Sequence, residues 1–195
     1  MELMFIRHGM TEGNRLKRYI GSTDEPLSPE GEEQLRSLRP MPERKQVYVS
    51  PMLRTRQTAV ILFPGAEQII VEEFREMDFG AFENRSADEM AGDPDYRAWV
   101  NGMCRGRCPG GEDRKAFSDR VCAAFVTRAE RLKAEGAEQA ALVVHGGTVM
   151  AICERFALPK KDYYEYGTAN GCALYCTLAE GDGPVLVNTH AGRLP

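Results

Sequence analysis

The chain has 195 residues with 25 basic and 29 acidic side chains, so its formal net charge is -4. Its hydrophobic share (43%) and charged share (28%) are typical of a globular domain and exclude the disordered and low-complexity classes. The acidic balance disfavours nucleic acid as a partner, the apolar runs are too short to cross a membrane, and we expect no secretory signal at the N-terminus. We therefore expect a single domain over residues 1–195, a cytoplasmic location and six reduced cysteines.

Short apolar runs alternate with amphipathic segments along the chain, which predicts an α/β fold. Wholly apolar runs, typical of strands buried on both faces, occur at residues 3–6, 47–49 and 141–144, with a weaker one at 69–71. Helices are predicted over residues 29–39, capped by Ser28, over 51–62, capped by Ser50, over a long segment that ends at Gly136, and over 149–158. The pattern predicts a three-layer sandwich in which helices cover both faces of a mainly parallel sheet.

Two further segments add to this pattern. Residues 172–178 and 185–188, separated by a Gly-Asp-Gly turn, predict a hairpin that gives the sheet an antiparallel edge near the C-terminus. Such an edge could pair across a homodimer. Residues 79–111 are rich in glycine and proline, with a short helix predicted over 95–100. Long irregular segments often cover binding sites, so we expect residues 79–111 to lie over the active site.

Three of the predicted strands run directly into charged or imidazole side chains. Arg7 and His8 follow the first strand, His145 follows residues 141–144, and Arg54 lies at the start of the helix after residues 47–49. The C-terminal ends of parallel strands meet at one edge, where α/β proteins bind ligands and helix N-termini favour anions. Because arginine binds phosphate in a bidentate manner and imidazole can donate to phosphate or attack it, this set indicates a phosphate site.

Each of these residues also has a purely structural interpretation. A histidine at a strand end is often only a buried, hydrogen-bonded side chain, and by composition Arg56 is as good a candidate as Arg54. The same strand–His–Gly–helix context at both His8 and His145 favours a functional role. The third histidine, His190, follows a hairpin strand and is expected to be structural or incidental.

Five ordered motifs, spread over nearly the whole chain, resemble those of the histidine phosphatase superfamily, which has the phosphoglycerate mutase-like fold. They are Arg7-His8-Gly9-Met10-Thr11, Ser50-Pro51-x-x-Arg54-x-x-Gln57, Glu76-x-x-Phe79-Gly80-x-Phe82-Glu83, Pro109-x-Gly111-Glu112 and Val144-His145-Gly146-Gly147. The resemblance selects Arg54 over Arg56. It also selects Glu76, which the residues alone do not distinguish from Glu72, Glu73 and Glu83.

The resemblance implies transfer of a phosphoryl group in two steps. His8 is then the nucleophile, which forms a phosphohistidine, and Glu76 protonates the leaving oxygen and helps to activate water. The transferred group and its charge are held by Arg7, Arg54 and His145. Two arginines and a second histidine supply the positioning and charge stabilisation that phosphoryl transfer needs, so no metal or cofactor is implied. Glu76 must carry a proton to act as an acid, so we expect burial or nearby charge to raise its pKa.

Other residues near these motifs are candidates for binding the substrate; they are Asn14, Thr11, Tyr19, Gly21 and Gly146. Asn14 and Thr11 either bind phosphate or cap the helix that follows the first motif. Tyr19 and Gly21 are expected to border the site, and Gly146 to let the backbone approach the ligand closely.

The cysteines and Thr148 are assigned no part in catalysis. Cys104 and Cys108, like Cys172 and Cys176, are separated by three residues, which is not the spacing of the commonest zinc pairs, and no histidine lies at ligand spacing beside them. We therefore expect no metal site, and leave open a reversible oxidation of Cys104 and Cys108. Thr148 is expected to be a helix cap.

Within the superfamily, the sequence favours a hydrolase over a mutase. The chain is shorter than is usual for the mutases and has Met10-Thr11 where these have Glu-Ser. Its length and its Tyr96-x-x-Trp99 segment are similar to those of α-ribazole phosphatases of cobalamin nucleotide-loop assembly and of broad-specificity phosphatases in the same branch. We expect a small phosphomonoester as substrate, with α-ribazole 5′-phosphate first and sugar phosphates as the alternative. A binding protein without catalysis is disfavoured, because both His8 and Glu76 are present.

Overall fold

The computed structural model describes residues 1–38 and 41–194, and in this part of the chain six strands form a single sheet. The strands are β1 (Glu2–Arg7), β2 (Gln46–Val49), β3 (Glu67–Ile70), β4 (Gln139–Val144), β5 (Cys172–Leu178) and β6 (Leu186–Arg193). They are ordered β3-β2-β4-β1-β5-β6; the first four run parallel, and β5 and β6 add an antiparallel edge. The predicted sheet is confirmed.

Helices cover both faces of this sheet. They are α1 (Glu12–Arg15), α2 (Pro29–Ser37), α3 (Leu53–Leu62), α4 (Pro94–Asn101), α5 (Arg114–Ala134) and α6 (Gly146–Phe156). Leu3 and Phe5 of β1 belong to a core cluster with α5 and α6, whereas Met4 and Ile6 point to the other face, in a cluster with α2 and α3. Burial on both faces explains why these strands are wholly apolar. The predicted end of α2 at Arg39 lies outside the described residues.

The helix after β2 begins later than predicted, because a neighbouring loop caps it. α3 starts at Leu53 instead of residue 51, and its N-cap residue is Met52. The free N–H group of Leu53 donates to Asp24 Oδ1 at 2.7 Å. The prediction that Ser50 is the N-cap residue is wrong: its hydroxyl accepts from Met52 N at 3.4 Å, ahead of the helix, and hydrogen-bonds to His145 Nε2 at 2.7 Å.

α6 begins earlier than predicted, at Gly146 instead of residue 149, so Thr148 lies inside its first turn and does not cap it. The Thr148 hydroxyl donates to the carbonyl of Phe74 at 3.3 Å, which ties the helix to the segment after β3. None of the helices in the described ranges has the length and apolar character needed to span a membrane.

Residues 79–111 contain α4 and pack their aromatic rings into one cluster. α4 matches the short helix predicted over 95–100 and begins at the N-cap Asp93. The rings of Phe79, Phe82, Tyr96 and Trp99 contact one another in tilted or edge-to-face pairs with centroids 5.5 to 6.3 Å apart. Phe79 and Trp99 of this cluster reach the candidate site, as does Cys104 of the same segment.

Candidate active site

Three neighbouring parallel strands bring the predicted side chains together. β2, β4 and β1 are adjacent in the sheet and end at the same edge. Arg7 ends β1 and precedes His8, His145 follows β4 as the N-cap of α6, and Arg54 lies in the first turn of α3 after β2. The rings of His8 and His145 meet edge to face with centroids 5.2 Å apart.

The hydrogen bonding of His8 leaves one ring nitrogen available for attack. His8 Nδ1 lies 2.7 Å from the carbonyl oxygen of Gly9. A carbonyl only accepts, so Nδ1 carries the proton and the lone pair of Nε2 is free. Burial, followed by the charges of Arg54 and Arg7, lowers the pKa of His8 well below 6.5. The imidazole is therefore neutral, as a nucleophile must be.

Both arginines of the site are held by backbone carbonyls. Arg7 Nη1 donates to Thr168 O at 2.7 Å, and Arg54 donates to Thr23 O at 2.8 Å and Gly21 O at 2.9 Å. The Nε atoms of both are buried without a hydrogen-bond partner among the described residues. Burial lowers the pKa of each arginine, but a guanidinium stays charged in proteins. Their hydrogen-bond partners among the described residues are neutral carbonyls and not carboxylates, although Glu76 is close enough to offset part of both charges, so the pair is suited to an anion such as phosphate.

His145 is fully buried and is oriented by a hydroxyl group. Its Nε2 lies 2.7 Å from Ser50 Oγ, and its Nδ1 has no hydrogen-bond partner within the described part of the chain. Burial is the main cause that lowers the pKa of His145 well below 6.5. A second neutral imidazole with an unused nitrogen thus lies beside His8.

Glu76 is the carboxyl group of this site. Its Oε1 accepts a hydrogen bond from Met77 N and its Oε2 from Gly147 N, both at 2.9 Å. Burial raises the pKa of Glu76, against the opposing effect of these two N–H groups and of Arg54 and Arg7. The predicted upward shift is confirmed. A Cβ atom at Gly147 would lie 2.3 Å from Glu76 Oε1, so only glycine lets this carboxyl group lie against the start of α6.

The neighbouring acidic residues are placed differently. Glu72 and Glu73 are exposed, and Glu83 directs its carboxylate to the backbone of residues 21–23. Of these four glutamates, Glu76 alone lines the cavity that contains His8.

The histidine phosphatase superfamily (branch 1) model matches residues 3–191. The chain belongs to this superfamily. A protein of Enterobacter sp. (strain 638) named "Probable phosphoglycerate mutase GpmB" is 34% identical over 156 residues, which cover 75% of this chain and 70% of that protein.

Two solved structures show the same superfamily fold. The α-ribazole phosphatase from Shigella flexneri superposes with a TM-score of 0.82 at 25% identity, covering 95% of this chain and 94% of that one. The phosphoglycerate mutase from Thermus thermophilus superposes with a TM-score of 0.69 at 31% identity, covering 98% and 99%. The chain is therefore similar to proteins named as phosphatases and as mutases.

The five predicted substrate-binding residues of this superfamily member fall into two groups. Asn14, Tyr19 and Gly146 line the cavity, whereas Thr11 and Gly21 do not. Thr11 is the N-cap of α1, where its hydroxyl accepts from Asn14 N at 3.2 Å. Of the two roles left open for Thr11, the structure shows capping. Gly21 contributes through its carbonyl, which accepts from Arg54.

The cavity has a polar end and an aromatic wall. Its volume is about 310 Å³, and its polar end is formed by Arg7, His8 and Glu76. Arg54 and His145 are fully buried and do not line it. The aromatic wall consists of Tyr19, Phe79, Trp99, Tyr163 and Tyr164.

Sequence reasoning missed several residues of this site. Tyr163 lines the cavity beneath Arg114, whose guanidinium carbon lies 4.7 Å from the ring centroid. Asn170 Nδ2 donates to His8 O at 3.2 Å and to Asn14 Oδ1 at 3.0 Å. The Asp-x-x-Glu spacing that begins at Asp162 indicates a capped turn, but it does not indicate that the turn faces the site.

The cysteines are all free thiols. Cys104 lines the cavity, and burial raises the pKa of its thiol. Burial also raises the pKa of Cys108, to about 12. Within residues 1–38 and 41–194, no group of three or more His, Cys, Asp or Glu side chains is arranged to hold a metal ion.

Proposed function

We propose that this protein is a metal-independent phosphomonoester hydrolase that works through a phosphohistidine on His8. The observation that carries the proposal is the state of His8 and its surroundings. Its Nε2 has a free lone pair, the guanidinium groups of Arg7 and Arg54 lie near it with their Nε atoms free, and Glu76 has a raised pKa in the same cavity. Nucleophile, charge stabilisation and acid are thus supplied by the chain itself.

In the first step, His8 Nε2 attacks phosphorus while the bond from phosphorus to the ester oxygen breaks. Glu76 transfers its proton to that oxygen, so the alcohol leaves neutral and Glu76 becomes a carboxylate. In the second step, a water molecule gives its proton to Glu76 and attacks phosphorus. The phosphohistidine bond breaks, which returns neutral His8 and protonated Glu76 and releases inorganic phosphate.

The developing charge on the phosphoryl oxygens is matched by donors already in place. The free Nε groups of Arg7 and Arg54 are fixed by the bonds that their other nitrogens make, and the free Nδ1 of His145 is a donor in the tautomer in which the Ser50 hydroxyl donates to Nε2. Preorganised donors of this kind stabilise the transition state without reorganising during the reaction.

The aromatic wall favours a substrate whose leaving group is flat and apolar. Five aromatic side chains line the cavity next to Arg7 and His8, and such a surface stacks against a ring better than against a hydrated sugar. α-Ribazole 5′-phosphate carries a benzimidazole ring, so we propose it as the preferred substrate. The likeness to the Shigella flexneri α-ribazole phosphatase supports this choice, and a broad-specificity phosphatase is the alternative.

A phosphoglycerate mutase is the second candidate, because the Enterobacter and Thermus relatives carry that name. A mutase uses the same phosphohistidine but returns the group to a second hydroxyl instead of to water. The two activities therefore differ in the product and not in the first step.

The test is release of inorganic phosphate in EDTA from α-ribazole 5′-phosphate, p-nitrophenyl phosphate and a sugar phosphate. We expect activity in the wild type, none in His8→Ala, and wild-type activity in His190→Ala, which removes an exposed imidazole outside the site. A higher kcat/KM for α-ribazole 5′-phosphate than for the sugar phosphate supports that substrate. Similar values for all esters support the broad phosphatase.

One result contradicts the hydrolase, and another contradicts the phosphohistidine on His8. Conversion of 3-phosphoglycerate to 2-phosphoglycerate at a rate above phosphate release assigns the protein as a mutase. Full activity of His8→Ala refutes the phosphohistidine.

In the aromatic wall, Trp99→Ala should raise KM for α-ribazole 5′-phosphate more than KM for the sugar phosphate, because the lost surface is apolar.

A further inference from the structure

Glu83 lies outside the cavity, yet its carboxylate is almost fully occupied by donors from two segments that border the site. Oε1 accepts from Gly21 N at 3.1 Å, Ser22 N at 2.8 Å and Phe79 N at 3.0 Å. Oε2 accepts from Thr23 N at 3.2 Å and from the Thr23 hydroxyl at 2.7 Å. Hydrogen bonds to an ionised acceptor are stronger than bonds between neutral groups, so this carboxylate fixes residues 21–23 against residue 79.

The same loop holds Arg54 from its other side. Thr23 O accepts from Arg54 Nη1 at 2.8 Å, and Gly21 O accepts from Arg54 Nη2 at 2.9 Å. The N–H groups of residues 21–23 thus point to Glu83, and the carbonyls of Gly21 and Thr23 point to the guanidinium. The peptide groups of residues 21–23 therefore connect the Glu83 carboxylate to the buried guanidinium of Arg54.

The position of this loop is narrowly defined by close contacts of its backbone. A Cβ atom at Gly21 would lie 1.8 Å from Met77 O and 2.6 Å from Glu83 Oε1, so the loop backbone is pressed against the residue that follows Glu76. Arg54 itself is fully buried. A shift of the loop therefore moves the two carbonyls that set the direction of the guanidinium.

We propose that Glu83 is a positioning residue for Arg54: through residues 21–23 it aims the free Nε group of Arg54 at the phosphoryl group. The idea rests on the proposed function, since it assigns a role in the same phosphoryl-transfer site. Glu83 then serves catalysis without contact with the substrate.

Glu83→Gln keeps the side-chain length but replaces one acceptor oxygen by a donor that faces N–H groups. The loop loses part of its anchor and Arg54 loses its direction. We expect kcat to fall on the order of 100-fold with a smaller change in KM, because misplacement of a charge-stabilising group by about 1 Å has that effect on rate. Thr23→Val, which removes only the hydroxyl bond, should act in the same direction more weakly.

A second readout does not depend on any substrate. His8 faces the charges of Arg7 from β1 and Arg54 from α3, with His145 and Glu76 as its titratable neighbours. When the guanidinium of Arg54 retreats, the pKa of His8 rises, whereas the direct loss of the Glu83 negative charge lowers that pKa, so a rise reports the movement of Arg54. NMR titration of ¹⁵N-labelled histidine measures this rise even if every ester tested is inert, so failure of the proposed function is distinguished from failure of the positioning role.

The deciding experiment is a double-mutant cycle of Glu83→Gln and Arg54→Gln. If Glu83 acts through Arg54, Glu83→Gln raises the pKa of His8 in the wild-type background and does not raise it when Arg54 is already replaced. Leu132→Val is the control. It shortens a buried side chain near the end of α5, and this end of the helix precedes the start of β4, opposite to the strand ends that form the site. It should lower stability and leave the pKa of His8 unchanged. Equal effects of Glu83→Gln in both backgrounds, or an unchanged pKa of His8, overturn the proposal.

Discussion

Replacing His145 by glutamine removes one buried imidazole, while the new amide can still hydrogen-bond to the Ser50 hydroxyl. Burial lowers the pKa of His145 well below 6.5 in the folded protein. In the unfolded chain the imidazole is in water and has a pKa of about 6.5. As the pH falls below that value, the unfolded state binds a proton that the folded state does not bind, so stability is lost on the acidic side.

The size of this effect follows from the two protonation states. Consider a histidine whose pKa is about 6.5 in the unfolded chain and below about 5.5 in the folded protein. Such a histidine lowers the free energy of unfolding by about 1.4 kcal/mol when the pH falls from about 7.5 to about 5.5. His8 adds a similar amount, because burial lowers its pKa in the same way. Glu76 acts in the opposite sense, since its raised pKa lets the folded state bind the proton, but it is present in both proteins and cancels in their difference.

Urea unfolding at the two pH values measures this difference. We expect the wild type to lose about 1.4 kcal/mol more than His145→Gln on acidification. His190→Gln removes an exposed imidazole and is the matched control, which should follow the wild type. Equal losses in the wild type and His145→Gln would show that His145 is protonated in the folded protein or accessible to solvent, and would refute the reasoning.

Three further predictions follow from the geometry. Glu76→Gln should lower kcat by about 100- to 10,000-fold. It should also abolish the fall of kcat at alkaline pH, because the wild type loses activity as the pH rises through the pKa of its acid. A kcat–pH profile that keeps this fall would show that another residue is the acid. Gly147→Ala should lower kcat about 100-fold in steady-state assays, because its Cβ displaces the Glu76 carboxyl group; unchanged kcat would show that this group relaxes freely. Asp113→Ala should cost about 1 kcal/mol in urea unfolding, because Asp113 accepts from Ala116 N as the N-cap of α5; no loss would mean that water replaces the cap.

The sequence by itself determined the sheet, and it predicted the edge of the candidate site and the groups that we propose react there. Apolar runs and their strand–His–Gly endings are local patterns, and the ordered motifs selected Glu76 and Arg54 from equivalent neighbours. The raised pKa of Glu76 also followed, since an acid has to hold a proton. The homodimer and the cytoplasmic location stay predictions.

Only the tertiary structure decided how these groups are oriented. Ser50 and His145 are 95 residues apart in the chain, so nothing local distinguishes a helix cap from a partner of the buried imidazole. Arg54 is directed by the carbonyls of Gly21 and Thr23, more than 30 residues earlier. Such bonds arise where burial would otherwise leave a polar group without a partner. Which partner is near depends on the packing of whole helices against the sheet, and a pattern read along the chain does not contain that information.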